Sequence, residues 1–156
     1  MKSKIIGPPL ELIYLVGFFD GATSARKGGA GVLLAISKVH SFHIKLGCGS
    51  STNTKPELLA LWVLLYWANF FGIPYLHIFG DSSIIINWAL GMASLSYLVL
   101  DNWCETIRQM MPKFLSLEFQ HVYIEHNQTA GGFSKEALDM DSGLCHIFEF
   151  YDDYVI

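Results

Sequence analysis

"TNTKPELLALWVLLYWANFFGIPYLHIFGDSSIIINWALG", residues 52–91, decides how this chain folds. Pro56 suits a helix start, because the amide it lacks would be unpaired there anyway, and Glu57 in the first turn complements the positive end of the helix dipole. An apolar helix then runs from Leu58 to about Phe71 and stops at Gly72. "YLHIFGD" is a short buried strand, and "SSIIINWALG" a second helix, capped by Ser82 or Ser83 and ended by Gly91.

Working outward, Leu12 to Asp20 and Gly31 to Ser37 are apolar runs bounded by Gly-rich or polar turns, and Val39 to Leu46 alternates. Short turns between them predict three antiparallel strands. "GGAG", Gly28 to Gly31, reads as a hairpin turn and a close-packed strand start; no helix follows it, which excludes a phosphate loop. Downstream, Leu98 to Met111 is a helix ended by Pro112, "LEFQHVYIE" a fifth strand and Thr129 to Leu138 a last helix. The order βββαβααβα predicts an α/β domain whose five-stranded mixed sheet carries helices on both faces. No repeat or linker divides residues 1–156, so a single domain is expected, ending in an acidic and aromatic tail, "FEFYDDYVI".

Although 52% of the residues are hydrophobic, the most apolar helix is shorter than the roughly 20 residues a bilayer crossing needs. No leader pattern opens the chain, so an intracellular protein of nucleus or cytoplasm is expected, without a membrane partner. Cys48, Cys104 and Cys145 are far apart and lack zinc-ligand spacing, and they read as reduced thiols. A net charge of −4 argues against a protein that coats nucleic acid indiscriminately. The helix 58–71 carries no charge on any face, which suggests that part of it covers a second copy or another protein. Trp62, Trp67, Trp88 and Trp103 read as core.

The acidic residues fall at element ends. Asp20 ends the first strand in "FFDGAT", Glu57 opens the long helix, and Asp81 ends the fourth strand in "FGDSS". Alone, each is a turn residue, a helix-dipole partner or an N-cap. Together, at the edge where α/β sheets hold ligands, three poorly solvated carboxylates repel unless cations hold them, and Mg²⁺ suits such oxygen donors.

At these residues the chain resembles the ribonuclease H family, specifically the RNase H-like domain of plant non-LTR retroelement reverse transcriptases. "GFFDGATS", "GGAGVLLA", "TNTKPELLALWVLLYWA", "FGDSSIIINWALG" and "HVYIEHNQTAGGFSKEAL" match its pattern in order, over about residues 12–150. The resemblance implies an endonuclease that hydrolyses the RNA strand of RNA–DNA hybrids with two Mg²⁺ ions, Mn²⁺ being an alternative, held by a D-E-D-D quartet. Asp20, Glu57 and Asp81 match its first three members. The fourth lies in a motif that here reads "NQTAGGFSK", and its position is Gly131. The missing carboxylate belongs to the ion that presents the attacking water, so impaired activity is expected. The alternative is an inactive, domesticated module that binds nucleic acid or a protein. Glu125, His126 and Glu136 lie near Gly131 in sequence; His126 is the candidate for a catalytic part. For contacts to the hybrid the resemblance implies Asn53 and Thr54, the amides of Gly21 and Thr23, and the hydroxyls of Ser82 and Ser83, with Arg26, Lys27, Lys55 and Lys135 as local positive charge. The chain lacks a polymerase domain and suits either a stand-alone product or a fragment of a polyprotein.

Overall fold

Two residues of positive φ, Ala25 (51°) and Arg26 (67°), turn the chain between β1 (Leu15–Ser24) and β2 (Lys27–Ala35). The computed structural model describes residues 15–95, 98–152 and 154–156. β1 and β2 are antiparallel, with Asp20 opposite Gly31 and Thr23 opposite Gly28. β3 (His40–Ser50) adds to β2 antiparallel, with a register shift at Gly28 and Gly29. The long helix α1 (Thr54–Phe70) returns the chain so that β4 (Tyr75–Gly80) lies parallel to β1. After α2 (Ser83–Ala89) and α3 (Asp101–Met110), β5 (Ser116–His121) joins β4 in parallel. The helix α4 (Gln128–Glu136) precedes β6 (Cys145–Tyr151) and β7 (Tyr154–Val155).

Among the described residues the sheet therefore has seven strands in the order β5-β4-β1-β2-β3-β6-β7, where five were expected. The expected element order holds through α4, and the excess is β6 and β7, in what reads as a tail. Their sidedness is invisible in the sequence because Cys145–Tyr151 places apolar or aromatic groups on both faces. It is β3 that sorts them, setting Ile147 beside Ile44 and Phe148 beside His43. Glu149, which falls opposite Phe42, is met by the His40 imidazole at 2.6 Å.

Two boundaries also differ. β1 continues four residues past Asp20, to Ser24, so Asp20 lies within a strand; the expected start at Leu12 lies outside the described residues. The turn sits at Ala25 and Arg26, and "GGAG" is strand throughout. The glycines there serve packing. A Cβ on Gly29 or Gly31 would run into the backbone of Ser134 or Ala130 in α4. On the other face, Gly17 faces the side chain of Leu64, and a Cβ on Gly21 would strike the backbone of Pro56 and Glu57. Helices thus cover both faces, as expected, each brought close by small residues.

The core lies between α1 and the sheet, where Leu58, Leu61, Leu64 and Leu65 meet Phe19, Leu34, Ile44, Leu76 and Ile78, all buried. Burying each such side chain contributes about 1.5–3 kcal/mol. The helix is apolar on more than one face because Trp62 also packs edge-on against Trp103 of α3, 5.3 Å between ring centroids. What α1 leaves in solvent is its last turn, with Phe70 67% exposed beside the less exposed Tyr66 and Phe71. No helix among the described residues is long and apolar enough to cross a membrane. All three cysteines are free, Cys48 being buried.

A two-residue hairpin whose residues both take positive φ favours Asn-Gly, because other side chains there crowd the backbone. Replacing Ala25→Asn with Arg26→Gly is expected to raise stability by about 1 kcal/mol. A urea midpoint that stayed the same or fell would contradict the turn geometry.

Candidate active site

Asp20, on β1, is flanked by buried Phe19 and by Gly21, which carries the first turn of α1. Because Gly21 has no side chain, that turn descends onto the strand and sets Glu57 next to Asp20. β4 runs parallel to β1 and ends at Gly80, opposite Phe19, so Asp81 leaves the sheet at the same point. One carboxylate oxygen from each of Asp20, Glu57 and Asp81 lies within 4.8 Å of the other two.

Burial and mutual repulsion act strongly on this group. Burial, with the charges of Asp81 and Glu57, lifts the Asp20 carboxyl from an ordinary 3.8 to about 7, against a hydrogen bond from the Gly21 amide at 2.9 Å. Burial likewise lifts Glu57 from 4.5 to about 7, opposed by a hydrogen bond to Ser82 and assisted by the charge of Asp81. Asp81 Oδ2 is buried without a hydrogen-bond partner. No ion pair to Lys, Arg or His joins any of the three among the described residues. Hard, close oxygen donors that repel one another and leave a buried acceptor unmatched fit a divalent cation.

Gly131 lies in α4 against this group: a Cβ there would be 3.0 Å from Asp20 Oδ2 and would meet nothing else within 4 Å. Asp20 and Gly131 line one cleft of about 430 Å³ together with Glu125, Asn127, Gln128 and Lys135. His126 is exposed on the 3₁₀ turn Ile124–His126 and lines a different cleft, of about 250 Å³, floored by Phe18 and Leu33. Glu136 is ion-paired with Lys45. Thus the three acids come together around the Gly131 position, while His126 and Glu136 stay outside the Asp20 cleft.

The residues expected to touch nucleic acid fall nearby in part. The Thr23 hydroxyl donates to Asn53 Oδ1 at 2.7 Å, tying the hairpin to the turn before α1, and Thr54 is that helix's first residue. Ser82 caps α2 by accepting the Ile85 amide at 3.4 Å, and Ser83 is exposed in the first turn. Arg26 and Lys55 share a groove with Ser50, Ser51, Thr52 and Trp103, whereas Lys135 is at the Asp20 cleft.

Asn127, the first residue of "NQTAGGFSK", holds a place beside the acids that its position in the sequence does not signal. Only 2% exposed, Asn127 donates its Nδ2 to the Phe19 carbonyl at 2.9 Å, pinning the start of α4 to the residue before Asp20. An asparagine just ahead of a helix signals an N-cap, yet here no side-chain cap bond forms.

Residues 18–137 match the family model described as reverse transcriptase-like. The chain belongs to this reverse transcriptase-like family of RNase H-like domains. Among solved structures, RNase H1 of the halophilic archaeon Halobacterium salinarum NRC-1 is similar at 23% identity with a TM-score of 0.72, over 81% of this chain and 98% of that one. LC11-RNase H1, isolated from compost and solved in complex with an RNA/DNA hybrid, is 22% identical at a TM-score of 0.73, over 80% of this chain and 96% of that one. The foamy viral protease-reverse transcriptase in complex with RNA/DNA hybrid is 15% identical at 0.60, over 89% of this chain and 21% of that longer one. At such identities the likeness establishes the fold. Among curated proteins, none matches the chain.

The raised carboxyls make the RNase H-like domain sensitive to pH. Between about pH 4 and pH 7 folded Asp20 and Glu57 retain protons that the unfolded chain has released, so folding stability falls as pH rises through this window and levels off above about 7. In chelator, thermal unfolding is expected at lower temperature at about pH 8 than at about pH 5, and Asp20→Asn should flatten the difference. Equal slopes for both proteins would contradict the burial and repulsion described here.

Proposed function

We propose that this RNase H-like domain is a divalent-metal-dependent endonuclease acting on the RNA strand of RNA–DNA hybrids, weakened by the glycine at position 131. The convergence of Asp20, Glu57 and Asp81 within 4.8 Å, beside a glycine whose Cβ would abut Asp20, carries this reading. The hybrid held by LC11-RNase H1 supports the substrate class.

Asp20, Glu57 and Asp81 would hold Mg²⁺, or Mn²⁺ in its place. When bound, such ions supply Lewis acidity at the phosphate and an activated water. Gly21 and Gly31 keep the cleft narrow enough for the carboxylates to act as a group. Thr23, Asn53 and Thr54 offer a fixed polar edge to a minor groove displaying 2′-hydroxyls. Ser82 and Ser83 add hydroxyls beside Asp81, and Arg26 and Lys55 meet backbone phosphate. His126, outside the Asp20 cleft, has no part in proton transfer in this reading. Residues 1–156 act as one domain.

A second reading is favoured by Gly131 itself: with the fourth carboxylate gone, the domain binds hybrid, or a protein over the exposed end of α1, without cutting. Cleavage of a labelled hybrid in Mg²⁺ and then Mn²⁺ separates the two. Slow cutting that Asp20→Asn abolishes supports the nuclease, whereas binding without cutting supports the module.

Restoring the carboxylate should be productive. Gly131→Asp places a negative group near the amino end of α4, where the helix dipole favours it, and only Asp20 Oδ2 must yield slightly to admit it. The expected gain is at least about tenfold in the single-turnover rate, equivalent to about 1.4 kcal/mol, with hybrid affinity little changed. Unaltered cleavage would show that Gly131 is not the vacated position.

A further inference from the structure

We propose that Glu125 supplies the fourth carboxylate of the site, reaching from the turn ahead of α4 into the space that Gly131 leaves open. The inference rests on the metal-binding reading of Asp20, Glu57 and Asp81.

Four observations lead to it. Among the described residues, Glu125 and Asp20 are the only ones with carboxylates that line the 430 Å³ cleft at Gly131. Glu125 is exposed and makes no hydrogen bond or ion pair among the described residues; it borders this cleft and the neighbouring one, whereas His126 borders the neighbouring one alone of the two and Glu136 is held by Lys45. The space at the helix is open: a Cβ on Gly131 meets only Asp20 Oδ2, and one on Gly132 meets nothing within 4 Å. Finally, the turn carrying Glu125 is anchored. Two residues on, Asn127 is bonded to the Phe19 carbonyl, one residue from Asp20. The same Asn127 is buried, lines the cleft and keeps its acceptor Oδ1 without a donor among the described residues, which suits a cation held at this point.

An aspartate at position 131 would present its carboxylate from the helix on a short stem. Glutamate at 125 starts from the preceding turn and has one methylene more with which to approach the same point. The exchange carries a cost: a longer side chain on an exposed turn loses more rotamer freedom when it is held, which weakens the ligand relative to an aspartate fixed on α4.

The test is calorimetric titration of the intact chain with Mn²⁺, without substrate. Glu125→Gln is expected to weaken Mn²⁺ binding about tenfold in the natural sequence and less than about twofold when Gly131→Asp is also present, since two groups serving one position are not additive. Binding unchanged by Glu125→Gln overturns the proposal. So does an equal loss in both backgrounds, which marks a diffuse charge effect. Circular dichroism checks the fold of each variant. If Gly131→Asp does not fold, Glu125→Asp decides: loss of affinity with the charge retained supports a ligand at the limit of its reach, and retention overturns it. Asp20→Asn in the same series separates the two levels. Mn²⁺ binding indifferent to Asp20→Asn removes the metal site altogether, whereas binding sensitive to Asp20 and indifferent to Glu125 removes only this assignment.

Discussion

The first turn of α1 rests directly on Gly21, and the site depends on that contact. Any side chain at 21 would meet the backbone of Pro56 and Glu57, which cannot step aside as a side chain can; overpacking of this kind costs about 1–3 kcal/mol or more. With the glycine in place, Glu57 is lowered to the level of Asp20, and the strand pairing of β4 with β1 delivers Asp81 to the same level. Burial there disfavours the charged form and, helped by the repulsion of the neighbouring carboxylates, raises Asp20 and Glu57 to about 7.

The opposite face of the sheet repeats the arrangement. Gly29 and Gly31 let the backbone of α4 settle against β2, although the helix brings little apolar surface of its own, only Ala130 and Ser134 being buried. Two glycines in its first half cost a helix about 1 kcal/mol each relative to alanine. α4 is therefore held by what it lies on, and by the bond from Asn127 to the Phe19 carbonyl, more than by its own propensity. A helix fixed in this way accommodates glycine at 131, and an open cleft lies beside Asp20.

Much of this was legible in the residues. The three acids could be picked out because each sits next to an apolar run, and a charged group there must be partnered or functional. The order of elements through α4 followed from Pro56, Gly72, Ser82 and Gly91, whose preferences act locally. The hairpin between β1 and β2 was misplaced because Gly28 to Gly31 looks like turn chemistry, whereas Gly29 and Gly31 serve the approach of α4, a contact from a hundred residues away, and Gly28 faces Ser51 and Pro56. β6 went unread for a similar reason. A strand with aromatic groups on both faces has no visible inside until a neighbour is known, and its neighbour, β3, lies about a hundred residues earlier in the chain.

The residues alone dictate the elements from β1 to α4 and their order, and they set Asp20, Glu57 and Asp81 at or near element ends. These depend on interactions among residues a few positions apart, where propensity, capping and hydrophobic period act. Distant packing settled that Glu125 borders both the cleft at Gly131 and its neighbour, while the adjacent His126 borders the neighbour and not the Gly131 cleft, and that Asn127 is a buried tie and not a cap. Neighbouring residues on a turn point in different directions, and which direction faces Asp20 is settled by how α4 is seated on β1 and β2, a matter of distant packing that no local pattern records.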